Sequence, residues 1–172
     1  MIELERTFLA KTIPSNFKEC KSKEILDIYI PQAREHPTLR IRKNGEKFEI
    51  TKKEPISGND SSKQLEQTIP LTKEEFEELA KLEGKKARKI RYYYPLEGKT
   101  FEIDVFQDEL KGLILVDIEF DDEKEKDFFE MPEFCLAEIT QKKFTAGGML
   151  CGKKYEDIAK ELEKFNYKKL DF

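Results

Sequence analysis

Residues 38–53 read TLRIRKNGEKFEITKK, in which charged and apolar side chains alternate on both sides of an Asn-Gly pair. Alternation with a period of two is typical of a strand whose two faces differ, and Asn-Gly is the strongest short signal for a tight hairpin turn. A two-residue loop at Asn44-Gly45 pairs Lys43 with Glu46. The stretch therefore predicts two antiparallel strands joined by a hairpin.

The predicted hairpin has one charged face and one apolar face, because residues directly opposite each other lie on the same side of a sheet. The charged face carries side chains of both signs: Arg40, Arg42, Glu49, Thr51 and Lys53. The apolar face carries Leu39, Ile41, Phe48 and Ile50.

The same division recurs along the chain. A second hairpin with its turn at Glu97-Gly98 pairs Arg91 with Asp104 on a charged face. The candidate strands are residues 2–9, 38–43, 46–53, 64–69, 87–93, 100–106, 113–120 and 137–140. A sheet of about eight strands tends to curl and close, which removes its edges. The charged face then points either into a lumen, which could hold a metal and a polyanion, or outward into water, and periodicity alone leaves both arrangements open.

Helices are predicted at three places. A capping box at 72–75 opens a helix that runs to about residue 82 and stops at Gly84. An apolar stripe predicts a C-terminal helix: Tyr155, Ile158, Leu162 and Phe165. A shorter helix is predicted over residues 14–26, and Gly147-Gly148 is interpreted as a turn rather than a phosphate-binding loop.

The composition limits the class of protein. The 172 residues predict a single domain spanning 1–172, and charged residues make up 40% of it. The 32 basic and 36 acidic residues nearly cancel, which argues against a specific nucleic-acid partner. The three cysteines share no metal-ligand spacing and are expected to be free thiols. The acidic opening lacks a secretion signal and no apolar run approaches the ~20 residues of a membrane span, so we expect a soluble, cytoplasmic protein without a membrane partner.

Short motifs along most of the chain carry a family resemblance. In chain order they are ELE at 3–5, YI at 29–30, LRIR at 39–42, ITKK at 50–53, KIRY at 89–92, FEIDVF at 101–106, LVDIEF at 115–120 and EIT at 138–140. This series resembles the CYTH superfamily, which includes class IV adenylyl cyclases, thiamine triphosphatases and inorganic triphosphatases. The resemblance implies an α+β fold: a closed, antiparallel, eight-stranded β-barrel, or tunnel, with peripheral helices and with the charged faces inward.

The resemblance also implies roles for eleven residues. The implied ligands of Mg²⁺ or Mn²⁺ are hard oxygen donors: Glu3, Glu5, Asp117 and Glu119. The implied phosphate-binding residues are basic: Arg40, Arg42, Lys89, Arg91 and Lys143. Tyr29 and Lys53 would form a dyad that activates water, and a lysine among other cations is expected to have a lowered pKa. An ordinary packed tyrosine and a surface lysine remain the alternatives for Tyr29 and Lys143, and His36 is expected to be structural.

The chain departs from the family pattern at several positions. Thr7 replaces the signature lysine, and Arg6 has the wrong parity to substitute for it; the other departures are Gln64, Thr68, Gln141 and the Lys143-Phe144 pair.

The expected function is metal-dependent hydrolysis of a linear triphosphate: tripolyphosphate, thiamine triphosphate or a nucleoside triphosphate, by a monomer or homodimer. Two alternatives stay open. They are an adenylyl cyclase and a non-catalytic module that binds polyphosphate or nucleotide.

Overall fold

A computed structural model describes residues 2–56 and 60–171 of the chain. In these residues nine strands form one antiparallel sheet: β1 (Ile2–Ala10), β2 (Ser22–Ile30), β3 (Leu39–Asn44), β4 (Lys47–Pro55), β5 (Lys63–Leu71), β6 (Lys85–Leu96), β7 (Lys99–Phe106), β8 (Ile114–Glu119) and β9 (Cys135–Glu138). The strand order is β5-β4-β3-β2-β6-β7-β8-β1-β9, and β5 also pairs with β1. This last pairing closes β1–β8 into a barrel, which confirms the expected fold.

The apolar core lies outside the barrel wall, between the strands and the elements that cover them. Phe8, Ile103 and Val116 form one cluster with Phe17 of the segment that follows β1. Two further clusters lie under the helices described below. Because the apolar faces are turned outward against these coverings, the charged faces of the same strands must point into the lumen.

The two predicted hairpins have different outcomes. The register of the first was wrong by two residues, since Asn44 pairs with Lys47 and the loop is Gly45-Glu46. Gly45 takes a φ of 60°, and a type II′ turn places a glycine at its first loop position. A shift of two residues keeps every side chain on its face, so the predicted faces are correct. The second hairpin is confirmed, with positive φ at both Glu97 (51°) and Gly98 (76°).

The predicted helix over 14–26 is wrong. Only a short 3₁₀ turn, Phe17–Glu19, occurs there, and β2 begins at Ser22. β2 pairs along most of its length with β3 on one side and β6 on the other, so tertiary pairing overrides the local pattern. The segment 137–140, predicted as a barrel strand, overlaps β9 at residues 137 and 138, and among the described strands β9 pairs with the end of β1 alone.

Four helices lie around the barrel in the described residues: α1 (Lys73–Leu79), α2 (Glu123–Phe128), α3 (Gly147–Leu150) and α4 (Tyr155–Glu163). The capping box at Thr72 is confirmed, although α1 ends before the predicted residue 82. The C-terminal helix is confirmed too, and its buried residues pack against the wall. The three cysteines are free. Nowhere in the described chain is a helix both long and apolar enough to cross a membrane.

Candidate active site

The inward face of the barrel lines a cavity of about 990 Å³. Every residue that the sequence singled out for a site lines this cavity: Glu3, Glu5, Tyr29, Arg40, Arg42, Lys53, Lys89, Arg91, Asp117, Glu119 and Lys143. Lys143 lies at a mouth, where its side chain is 63% exposed and 4.0 Å from a carboxylate oxygen of Glu35. The barrel therefore collects acidic and basic side chains from facing walls in one space.

The candidate metal-binding carboxylates lie on two neighbouring strands. Glu5 of β1 pairs with Glu119 of β8, and Asp117 lies opposite Thr7. Burial raises the pKa of Glu5 to about 7, with Glu3 and Asp117 adding to the effect against the opposing charge of Lys53. Burial also raises the pKa of Glu119, and a bound cation would favour the ionised forms of Glu5 and Glu119.

The ammonium of Lys53 lies among these carboxylates. It forms an ion pair with Glu3 and lies 3.6 Å from Glu5 and 3.2 Å from Glu66. Burial alone would lower the pKa of Lys53, but Glu5 and Glu3 outweigh it and raise the pKa above its ordinary value. The prediction of a lowered pKa for Lys53 is therefore wrong, because the nearest neighbours of its ammonium are carboxylates rather than cations.

The donor set fits a divalent metal by its chemistry. Glu3 and Glu5 offer hard oxygen ligands, and they already share a positive charge in the form of the Lys53 ammonium. Within residues 2–56 and 60–171, however, no three acidic, histidine or cysteine side chains form a preorganised ligand cluster. A metal at this position would require the carboxylates to rearrange around it and the ammonium to move aside.

Most of the basic residues are neutralised by acids. Arg42 donates to Asp27 through two hydrogen bonds of 2.6 and 2.9 Å, and Arg91 donates to Asp104 through two of 2.7 Å. Lys89 also pairs with Asp104. Burial would raise the pKa of Asp27, but Arg42 and Arg40 outweigh it and hold the pKa well below its usual range.

Arg40 differs from its neighbours because part of its guanidinium has no partner. Nη1 donates to the Tyr29 hydroxyl at 3.3 Å, and Nε lies 4.0 Å from Asp27 Oδ1. Nε is buried and, among the described residues, makes no hydrogen bond. A buried donor without an acceptor is costly, and this sets Arg40 apart from Arg42 and Arg91, whose guanidinium groups are paired.

The residues that depart from the family pattern join the tunnel's own hydrogen bonds. Gln64 donates to Glu5 at 3.2 Å, and Gln141 accepts from the backbone of Ser61 at 3.0 Å. Thr7 lines the cavity. Arg6 points away from it and donates to Glu138 at 2.6 Å, which confirms that its parity excludes it from the lumen.

Asp27 is the site residue that sequence reasoning missed. It is 6% exposed and accepts a hydrogen bond from Arg42 inside the tunnel. It directly follows the helix predicted over 14–26, where no strand was predicted. A signal was present, because Asp27 precedes Tyr29 by two residues and so has the same parity in a strand.

One end of the tunnel is rich in basic residues. The segments 31–38 and 139–148 meet there and contribute Arg34, His36, Lys142 and Lys143 to the lining. Partial burial lowers the pKa of His36, and the charges of Lys143 and Arg34 lower it further. Glu35 also lines this mouth, so three basic side chains there face one carboxylate and the local charge is positive.

A closed barrel whose lumen carries both acidic and basic side chains defines a tunnel protein with a charged interior. No protein-family model matches the chain. It is 33% identical over 145 residues to the inorganic triphosphatase of Nitrosomonas europaea, across 83% of this chain and 92% of that protein. The chain therefore belongs to the CYTH superfamily.

Solved structures agree with this assignment. The crystal structure of an inorganic triphosphatase matches with a TM-score of 0.63 and 28% identity, over 88% of this chain and 95% of that one. An adenylate cyclase-like protein of Bacillus halodurans matches with a TM-score of 0.54 and 15% identity, over 99% of this chain and 92% of that one. The second likeness shows the shared fold alone.

Proposed function

We propose that the chain hydrolyses a linear triphosphate by attack of water on the terminal phosphorus inside the tunnel. The observation that carries the proposal is the two-signed lining of a single enclosed cavity, in which Arg40 keeps a buried donor without an acceptor. Kinship with an inorganic triphosphatase supports tripolyphosphate as the first substrate to test. A triphosphate is a linear chain with several negative charges, so basic side chains placed at several points along a tunnel suit it.

The phosphate groups would be bound by basic residues that now hold carboxylates. The proposed set is Arg40, Arg42, Lys89, Arg91 and Lys143. The guanidinium of Arg91 already forms a two-pronged pair with Asp104, and such a fork matches phosphate oxygens equally well. Because the acids remain nearby, a bound triphosphate would leave the lumen with an excess of negative charge, which a divalent cation would offset.

A divalent cation, Mg²⁺ or Mn²⁺, would be held by Glu3, Glu5, Asp117 and Glu119. When bound it would neutralise charge on the phosphate oxygens and polarise the phosphorus. Asp117 lies on β8 and Glu5 on the adjacent β1, so these carboxylates come from neighbouring strands of the barrel. Burial raises the pKa of Glu5, and the neighbouring carboxylates of Glu3 and Asp117 add to this; a cation would favour the ionised form, which supports this assignment.

Tyr29 and Lys53 would orient the attacking water. The Tyr29 hydroxyl is buried beside Arg40, and Lys53 carries a proton that Glu3 and Glu5 stabilise. Lys53 is therefore a proton donor among the protein's own groups, and a role as base requires those two carboxylates to be engaged elsewhere.

The test is phosphate release from tripolyphosphate, thiamine triphosphate and ATP, each with Mg²⁺ and with Mn²⁺. Lys53→Ala should abolish release and leave substantial triphosphate binding. Lys52→Ala is the matched control, because Lys52 is the adjacent lysine, 45% exposed and paired with Glu54 at 3.0 Å. No release from any of these substrates would refute the proposed hydrolysis. Full activity of Lys53→Ala would refute the proposed dyad of Tyr29 and Lys53.

A non-catalytic binding module is the second candidate, and Thr7 favours it because threonine supplies no charge where the family has a lysine. A triphosphate that raises the melting temperature without being hydrolysed would identify this function. Cyclic AMP and pyrophosphate from ATP would instead identify a cyclase. We further propose that the protein works in the cytoplasm, which its free thiols support. We also propose that it is a monomer or a homodimer, which size-exclusion chromatography would test.

A further inference from the structure

The hydroxyl of Tyr29 lies against the backbone of α3. A Cβ atom added at Gly147 would lie 2.3 Å from the Tyr29 oxygen and 2.9 Å from Cζ, closer than real Cβ atoms approach. At Gly148 an added Cβ would lie 2.1 Å from the backbone oxygen of Pro37. The diglycine is therefore where α3 comes into backbone contact with the wall of the tunnel.

Space, and not backbone conformation, requires the glycine at 147. Among the glycines that the structure describes, four take a positive φ, at positions 45, 98, 112 and 152, and Gly147 is not one of them. Its conformation is the helical one of α3, which alanine adopts without strain. Only the approach of Tyr29 excludes a side chain at this position.

The Tyr29 hydroxyl is thus held from two directions. Arg40 donates to it at 3.3 Å from the neighbouring strand, and the missing side chain of Gly147 leaves room for it on the other side. Tyr29 is 8% exposed, so the ring has little freedom to move elsewhere. A methyl group at position 147 would overlap the space that the hydroxyl occupies and would displace it from its present position.

We infer that Gly147 is a positioning residue that sets the place of the Tyr29 hydroxyl in the tunnel. The consequence for turnover rests on the proposed function of Tyr29, but the contact itself does not. Gly148 packs against a different group, the Pro37 carbonyl, and provides an internal comparison.

The experiment is a double-mutant cycle between Gly147→Ala and Tyr29→Phe, measured by thermal unfolding. Gly147→Ala should lower the melting temperature in the native background and lower it much less in the Tyr29→Phe background, because the closest atom has been removed. Gly148→Ala should lower the melting temperature equally in both backgrounds. An equal loss from Gly147→Ala in both backgrounds would overturn the inference. If Gly147→Ala does not fold alone, Gly147→Ala in a Tyr29→Leu background decides, because leucine lacks both the oxygen and Cζ: restored folding supports the inference and failure to fold refutes it.

Turnover of tripolyphosphate gives the second measurement. Gly147→Ala should lower kcat by roughly ten- to a hundredfold, as a small misplacement of a catalytic group does, with little change in KM. It should cause no further loss in the Tyr29→Phe background. Full activity of Tyr29→Phe would refute the catalytic role of Tyr29 and leave the thermal cycle as an independent test of the contact.

Discussion

Replacing Lys53 with methionine removes the positive charge that Glu3, Glu5 and Glu66 share. Methionine keeps the length and most of the apolar stem, so the change isolates the ammonium. The three carboxylates then face one another across the closed seam of the barrel without a counter-ion. We expect the metal-free variant to be less stable than the native protein.

The size of the loss follows from burial. Breaking a fully buried ion pair costs about 3–5 kcal/mol, because the remaining charge is uncompensated. The Lys53 side chain is 20% exposed and its three partners are 17–25% exposed, so part of this cost is screened. We expect about 2–3 kcal/mol, which lowers the melting temperature of a chain of this length by roughly 5–10 °C.

A divalent cation should reverse the loss. If Mg²⁺ or Mn²⁺ binds Glu3 and Glu5, it replaces the ammonium in the variant but must displace it in the native protein. Thermal unfolding after treatment with EDTA, and again across a metal titration, should therefore show a larger stabilisation by metal in Lys53→Met than in the native protein.

The control is Lys52→Met, which removes a lysine on the outer face that is 45% exposed and pairs with a 54% exposed Glu54. Its loss should stay within about 0.5 kcal/mol and should not depend on metal. If Lys53→Met has the same melting temperature as Lys52→Met, or if metal stabilises it no more than the native protein, then the carboxylates do not share the Lys53 ammonium as we infer.

Three further predictions follow from the charges of the tunnel. The raised pKa of Glu5 means that the folded state binds its proton more tightly than the unfolded state, so stability should fall as pH rises from about 4.5 to 7, and Glu5→Gln should flatten this slope in metal-free buffer. Asp27→Asn leaves Arg42 buried without its partner and should cost about 3 kcal/mol, in part regained with tripolyphosphate present, as differential scanning fluorimetry would reveal. Lys142→Gln with Lys143→Gln should lower kcat/KM mainly at low ionic strength, and a loss independent of salt would contradict steering by this mouth.

Parity is the feature that local sequence determined well. The Asn44 hairpin was predicted two residues out of register, yet Arg40, Arg42 and Lys53 still share the lumen face, because a slip of two residues preserves the side of every side chain. The same reasoning excluded Arg6 from the tunnel, and its pair with Glu138 on the outside bears this out. Ten of the eleven candidate residues lie on barrel strands and share the lumen face although their strands are far apart in the chain, whereas Lys143 reaches the cavity from a turn at its mouth.

Long-range pairing decided what parity could not. The helix predicted over 14–26 extended into the first part of β2, and Asp27, which follows it directly, was missed. This segment is a strand because it pairs with β3 and β6, and local periodicity does not show that pairing. The protonation of Lys53 was predicted in the wrong direction for a related reason. The acids Glu3 and Glu5 become its neighbours only when β5 pairs with β1 and closes the barrel.

The sequence by itself thus determined which side chains share a face, because a strand turns its residues alternately to either side whatever its neighbours are. Only the tertiary structure decided that the charged face points inward and which acid meets which base. Those facts depend on closure of the sheet and on the outward apolar cover, which join residues with no local relation in the chain.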